Sequence, residues 1–330
     1  MTPLVSIVIV NWKTPDLLMA CIESIKTNDT GYKDFEFLIV DNNSQDGSVE
    51  LISKNYPEIF LLVNKENLGF SIACNQVIPR AKGKYVLLLN PDTLVEDNAI
   101  SKLRAFLDER SECGAVGPKV LNPDGTLQLA CRRSFPSLES AFYRVTYLSR
   151  IFPNNKTFSK YNLTHADPDK ELEVDALSGS CMMVRKDIID RIGLLDEDIF
   201  MFGEDIDWCW RVKEDGYRVI YFPQSVVYHI HGASSRLRPI GATINLHKGM
   251  EVFYRKHYAK QYWAPINLLV YAAIWARAGL FILVNQFKSI TDNKKKEAID
   301  KQIALSSPKT NKSEEAKKSE ETEKFETPVK

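Results

Sequence analysis

No two cysteines in this 330-residue chain stand in a C-x-x-C pair. Cys21, Cys74, Cys113, Cys131, Cys181 and Cys209 lie far apart, which argues against a zinc knuckle or a dense disulfide framework and for reduced thiols in a cytoplasmic protein. An excess of either charge is also missing. With 43 basic residues against 43 acidic ones, no global field draws the chain to nucleic acid, so any anion site must be built locally. The N-terminus has no basic n-region, and its apolar run stops at Val10 before Asn11 and Trp12, short of the core a signal peptide needs. Apolar substance is plentiful: 44% hydrophobic and 10% aromatic residues beside 26% charged ones suffice for one large globular domain or two modest ones.

The first hundred residues repeat one alternation. Runs of β-branched residues and Leu (Val5 to Val10, Phe35 to Val40, Ile59 to Val63, Tyr85 to Leu89) are each followed by turn residues and then by a helical period such as Leu17, Leu18, Cys21, Ile22 and Ile25. This predicts an α/β domain on a mostly parallel sheet covered on both faces, with ligands at the carboxyl ends of the strands. From Pro118 to Val174 the rhythm gives way to a segment holding Arg132, Arg133 and several aromatics, read as a substrate-facing insertion. Order returns from Val174 to His231 and helical texture from Ile240, so helices are expected over 236–287. The segment 288–330, rich in Lys, Glu, Ser and Thr, is expected to be a disordered charged tail.

Ile266 to Val284 is the longest apolar stretch, interrupted mainly by Asn267 and Arg277. Roughly 20 apolar residues span a bilayer, but a central Arg costs about 2.5–3.5 kcal/mol. Arg255, Lys256, His257, Tyr258, Lys260, Tyr262 and Trp263 precede the stretch, a composition that suits the cytoplasmic headgroup region. Attachment to the membrane surface is therefore expected over spanning; a core or dimer-interface helix is the alternative.

Chemistry is to be sought at the strand ends. Asp41, in Val40-Asp41-Asn42-Asn43-Ser44-Gln45-Asp46-Gly47-Ser48, could accept the N3–H of a uracil or thymine, although Asp46 and Ser48 also suit plain helix capping. Asn90-Pro91-Asp92 follows Leu87-Leu88-Leu89, where a divalent cation held by Asp92 could bridge a diphosphate; the same residues make a competent turn. Glu204, Asp205 and Asp207 open a probable helix with more carboxylates than its dipole needs, one of them a candidate general base. Asp207 and Arg211 stand at i, i+4 and read as structural support. His229 and His231 alternate on a strand-like run, facing one side, and either could complete a metal site.

Taken in order, Val5-Ser6-Ile7-Val8-Ile9-Val10-Asn11, Val40-Asp41-Asn42-Asn43-Ser44-x-Asp46-Gly47-Ser48, Asn67-Leu68-Gly69-Phe70-x-x-Ala73-x-Asn75, Leu89-Asn90-Pro91-Asp92, Ser178-Gly179-Ser180 and Gly203-Glu204-Asp205-x-Asp207-x-x-x-Arg211 closely resemble family 2 glycosyltransferases. The resemblance covers roughly residues 4 to 232 and is nearest to rhamnosyltransferase-like enzymes of surface-polysaccharide assembly. It implies a GT-A fold over 1–235, with a nucleotide-binding half (1–117) and an acceptor-side half (118–235), and a nucleotide-diphosphate sugar lying across the strand ends with Mg²⁺ or Mn²⁺. By position, Asp41 is the base-recognising carboxylate, and Asn11, Asn67, Gly69 and Asn90 line the nucleotide pocket. Asp92 falls on the last carboxylate of the metal-binding Asp-x-Asp element, His229 on a histidine that completes the site in some relatives, and Asp205 on the catalytic base, with Glu204 as second candidate. Asn90 replaces the first Asp of that element and is a poorer metal ligand. The Gln-x-x-Arg-Trp element of processive synthases is lacking, which favours single additions.

The function so implied is inverting transfer of a sugar from a dTDP- or UDP-linked donor, with L-rhamnose from dTDP-rhamnose in the lead, to a glycan or lipid-linked glycan at the inner membrane face. A UDP-hexose transferase of the same fold and a non-catalytic nucleotide-sugar-binding subunit are the alternatives. A nucleotidyltransferase would call for a Gly-rich basic loop where Asn11-Trp12-Lys13-Thr14-Pro15 stands.

Overall fold

The computed structural model describes residues 3–230, 232 and 235–306, of which 235 and 287–306 are described as backbone alone. His231, one of the two candidate histidines, lies outside the described residues. Two compact units divide the chain, Met1–Ala278 and Gly279–Lys330.

In the first unit the elements run β1 (Val5–Asn11), α1 (Pro15–Asn28), β2 (Phe35–Asp41), α2 (Ser48–Asn55), β3 (Phe60–Val63), α3 (Phe70–Val77), β4 (Tyr85–Leu89), β5 (Thr93–Val95), α4 (Ala99–Glu109), β6 (Cys113–Leu121), β7 (Arg132–Arg133), α5 (Leu138–Val145), α6 (Leu148–Ile151), β8 (Leu172–Glu173), β9 (Ala176–Leu177), β10 (Cys181–Arg185), α7 (Lys186–Ile192), α8 (Glu204–Glu214), β11 (Arg218–His229) and α9 (Pro239–His257). The last helix, α10 (Ala264–Ser306), begins in the first unit and continues in the second.

Nine strands form one sheet in the order β3-β2-β1-β4-β10-β6-β11-β5, with β8 against β11. β1 to β4 pair in parallel, as helical crossovers require, and β6 is parallel to β11. β10, β5 and β8 run against the others, so the sheet is mixed although mostly parallel. Every residue of β1 and of β4 is buried, which is why these strands are almost wholly apolar, with Ser6 and the terminal Asn11 of β1 as the exceptions. Buried side chains such as Ile7, Ile39 and Leu87 each contribute about 1.5–3 kcal/mol of transfer free energy. On α1 the buried stripe is Leu18, Cys21, Ile22 and Ile25, the helical period that faces the sheet. All six cysteines are buried free thiols.

The segment expected to be irregular from Pro118 is more ordered at its start. β6 carries pairing through Pro118 to Leu121 by lying beside β11, and β7 pairs with β9 in a small second sheet.

The C-terminal region departs from expectation twice. First, most of the basic cluster read as facing lipid headgroups is used internally. Arg255 pairs with Asp198 at 2.7 Å, Lys256 with Asp196 at 3.0 Å and Asp207 at 2.8 Å, and His257 with Asp207 at 2.8 Å. Trp263 is 81% exposed. Second, the backbone of α10 remains helical past Lys288 to Ser306, because Lys, Glu, Ala and Gln are strong helix formers however poor they are at burying surface. The rest of the expected tail, 307–330, lies outside the described residues.

Ala264–Gln286 is long and apolar enough to cross a bilayer, and only 11% of that window is buried, unlike a core helix. Within the first unit, Ile274 and Ala278 are buried while Leu268, Leu269 and Trp275 are exposed. The Arg277 guanidinium donates to His247 Nε2 at 3.0 Å, so the charge inside the apolar stretch is satisfied by α9.

Candidate active site

The carboxyl edge of the sheet gathers the polar residues. Asp41 closes β2 beside Asn11 at the end of β1. Asn11 Nδ2 donates to Asp41 Oδ2 at 2.9 Å, and the Ser44 amide donates to Asp41 Oδ1 at 2.9 Å. Thr14 Oγ1 in turn donates to Asn11 Oδ1 at 2.8 Å. The carboxylate is thereby oriented, with lone pairs left for a further donor. Asn42 Nδ2 donates to the Gly69 carbonyl at 2.9 Å, and Asn67 Oδ1 accepts from the Gly69 amide at 3.0 Å. The Asn67–Gly69 turn is thus tied to the end of β2.

Gly69 has φ +86° and ψ −178°, a region only glycine occupies readily. A Cβ there would stand 2.6 Å from the Phe200 carbonyl oxygen. From the other side, a Cβ on Gly249 of α9 would stand 2.0 Å from the Phe202 carbonyl oxygen. Two glycines therefore let α3 and α9 close on the loop that precedes the acidic pair, and Ser71 Oγ secures it by donating to the Ile199 carbonyl at 2.6 Å.

Asp92 and His229 come together although 137 positions separate them, because β11 pairs with β5 and sets His229 opposite Thr93. Gln128, which the sequence did not single out, fixes the imidazole. Its Nε2 donates to Asn122 Oδ1 at 3.0 Å and to the His229 carbonyl at 2.7 Å, leaving Oε1 to face His229 Nδ1 at 2.9 Å. Nδ1 therefore carries a proton, and in the neutral ring Nε2 presents a lone pair. That atom stands 3.1 Å from Asp92 Oδ1 and 3.2 Å from Asn90 Nδ2. Two acceptors so close require a cation or a proton between them, and carboxylate plus imidazole suits Mn²⁺ better than Mg²⁺, which prefers oxygen ligands. Among the described residues no group of three or more His, Cys, Asp or Glu gathers as a metal cage. Protein ligands would thus be Asp92 and His229, with the other positions left to donor oxygens and water.

The acidic pair opens α8. Asp205 Oδ2 accepts from Arg133 Nη2 at 2.6 Å and from the Gly179 amide at 3.0 Å, and Oδ1 accepts from the Ile206 amide at 2.8 Å. Arg133 also donates to the Leu177 carbonyl, and its own ionisation is driven up by Asp205 against the opposing effect of burial. Beside Asp205 lies Glu204, which is buried and whose Oε2 has no hydrogen-bond partner among the described residues. Burial, and then the charge of Asp205, push its carboxyl up to about 8. Of the two adjacent carboxyls, Glu204 is the one that holds a proton near neutrality.

Asp207 completes the first turn without facing this chemistry. It is fully buried, and Arg211 Nη2 is 2.7 Å away with Lys256 and His257 each at 2.8 Å. Burial pushes its carboxyl up, but the His257 bond, the Arg211 charge and Lys256 outweigh that and hold it well below the usual carboxylate range. The i, i+4 pair with Arg211 is structural, and the contacts of Asp207 with Lys256 and His257 tie α9 to α8.

The raised Glu204 carboxyl sets a pH signature. Its folded value lies above the unfolded one near 4.5, so its contribution to stability is full below that pH and is lost as pH rises towards 8. Glu204→Gln, neutral throughout, is expected to gain over the wild type by on the order of a few kcal/mol between pH 5 and 8. Denaturant titrations of both proteins across that range check it; a constant difference contradicts the raised carboxyl.

Residues 6–193 match the family model described as Glycosyl transferase family 2. The chain belongs to that family. It is a glycosyltransferase. An N-acetylglucosaminyl-diphospho-decaprenol L-rhamnosyltransferase of Mycobacterium tuberculosis is 27% identical over 256 residues, covering 74% of this chain and 82% of the relative. The low-salt glycan biosynthesis hexosyltransferase Agl10 of Haloferax volcanii is 27% identical over 221 residues, 65% of this chain and 63% of the relative. Among solved structures, GalNAc-T7 with UDP, GalNAc and Mn²⁺ superposes with a TM-score of 0.53 at 15% identity over 77% of this chain, which matches half of that one. Mannosyltransferase PcManGT from Pyrobaculum calidifontis in complex with GDP-Man and Mn²⁺ superposes at 0.50 and 17% identity, covering 93% of this chain and 82% of the other. The fold of this glycosyltransferase is accordingly GT-A.

Proposed function

We propose that this glycosyltransferase inverts the anomeric centre of a sugar as it moves it from a nucleotide-diphosphate donor to a hydroxyl of a lipid-linked glycan, at the cytoplasmic membrane face, in surface-polysaccharide synthesis. The observation that carries the reading is the pair of carboxylates at one sheet edge with opposite tasks, Asp92 against His229 and Asp205 beside a protonated Glu204. Asp41 accepts the N3–H of the pyrimidine, and Asn11, Asn67, Gly69 and Asn90 line the nucleotide pocket. When bound between Asp92 and His229, Mg²⁺ or Mn²⁺ neutralises charge on the departing diphosphate. The acceptor oxygen bonds to the anomeric carbon from the face opposite the diphosphate, the bond from that carbon to the diphosphate oxygen breaks with its electron pair, and Asp205 takes the hydroxyl proton. Arg133 holds Asp205 for that role. The 27% identical rhamnosyltransferase supports dTDP-rhamnose as donor.

Membrane work is supported by the exposed Trp263 and by the apolar, mostly unburied start of α10. The test is transfer of labelled sugar into a polyprenyl-diphosphate N-acetylglucosamine from dTDP-rhamnose, UDP-hexoses and GDP-mannose in turn. Label from dTDP-rhamnose alone is expected. Label from a UDP-hexose instead overturns the donor, and label from none overturns the acceptor class.

A further inference from the structure

α5 carries an apolar stripe on its outside. Leu138, Phe142 and Val145 stand at i, i+4 and i+7, the spacing of one helical face, and all three are exposed, Phe142 at 59% and Val145 at 68%. The buried residue of this helix is a serine, Ser140. A capping box between Ser137 and Ser140 fixes the helix start. Tyr147, Ile151 and Phe152 continue the exposed apolar surface through α6. Soluble monomers seldom expose such a contiguous patch without a use for it.

The charges around the patch indicate what covers it. Between Leu138 and Lys160 the chain has Arg144, Arg150, Lys156 and Lys160 against the single carboxylate of Glu139, and all four cations are exposed. A second copy docked through the same face would set cations against cations, whereas anionic headgroups neutralise them while the apolar side chains enter the acyl boundary. The patch also adjoins α10. The Arg144 guanidinium lies 5.0 Å from the centroid of the Tyr161 ring, and burial, then Arg144, lower the Arg277 guanidinium while the same Tyr161 opposes them.

We infer that α5 and α6 are a second membrane contact, which lays Phe142, Val145, Ile151 and Phe152 into an anionic lipid surface. The inference rests on the reading that this transferase works at a membrane. It also explains why the insertion leaves the sheet directly after Arg133: the chain that holds the base in place continues into the surface where a lipid-linked acceptor resides.

The test uses the full chain with Val145→Cys, labelled with an environment-sensitive fluorophore; the six native thiols are buried. Vesicles of phosphatidylglycerol and phosphatidylethanolamine are expected to float the protein and shift the label to the blue, with little shift on phosphatidylcholine. Phe142→Ser with Ile151→Ser is expected to weaken partitioning roughly tenfold at an unchanged melting temperature. Flotation without a shift overturns the contact but leaves the membrane reading standing. Failure to float overturns both, and a shift that needs no vesicles but grows with protein concentration assigns the face to a second copy instead.

Discussion

Asp205→Asn lowers kcat by about 10²–10⁴-fold at every pH between 6 and 9, the range removal of a general base commands. Glu204→Gln keeps activity within about tenfold, because Gln mimics the protonated carboxyl it replaces. The asymmetry follows from the surroundings of the pair. Asp205 receives Arg133, the Gly179 amide and the Ile206 amide, three donors that point it. Glu204 has an oxygen with no partner among the described residues and a carboxyl pushed up to about 8, first by burial and then by Asp205. At neutral pH Glu204 holds its proton, so the residue proposed to take the acceptor's proton is Asp205. Steady-state kinetics of both variants separate the roles. An inactive Glu204→Gln beside an active Asp205→Asn, with wild-type rates rising through pH 8, would reverse them.

The second large effect is expected at the other side of the sugar. Asp92→Ala and His229→Ala each remove one of the two proposed protein ligands, and cation-dependent turnover is expected to fall by about 10²-fold or more, as loss of charge stabilisation at a leaving group does. Gln128→Leu leaves both side chains in place and acts on His229 from its other ring nitrogen. It frees His229 Nδ1 from the acceptor 2.9 Å away and lets the ring change tautomer, so cation affinity is expected to fall by about 10–100-fold while saturating Mn²⁺ restores the rate. Titrating Mn²⁺ at fixed donor checks all three. Equal losses that no Mn²⁺ concentration restores would mean that Gln128→Leu acts by unfolding the site.

The strands were legible because β1, β4 and the second half of β2 are buried on both faces, and such strands must be written as largely apolar runs. Asp41 and Asp92 were legible for the same reason: a carboxylate directly after such a run has to sit on the lip of the sheet. Arg133 and Gln128 were not legible. Their partners stand 72 and 101 residues away, and nothing in local pattern distinguishes Arg133, which reaches Asp205, from Arg132, which turns to the Ala166 and Asp167 carbonyls. The pairing of Lys256 and His257 with Asp207 was not legible, because a basic cluster beside an apolar helix suits headgroups and buried carboxylates equally well and only the position of Asp207, fully buried on the neighbouring helix, shows the second use. The continuation of α10 was missed because composition judges burial, and a helix of Lys, Glu and Ala can form without it.

Calorimetry of dTDP, UDP and GDP binding to the wild type and to Asp92→Ala, each with and without Mn²⁺, tests most directly the claim that the strand-end residues form one donor site. The account predicts that a pyrimidine nucleotide binds the wild type at least about tenfold more tightly with Mn²⁺, a linkage of about 1.4 kcal/mol, and that Asp92→Ala abolishes the gain while keeping the weaker metal-free binding that Asp41 supports. Equal affinity with and without Mn²⁺, or a gain that survives in Asp92→Ala, would contradict it.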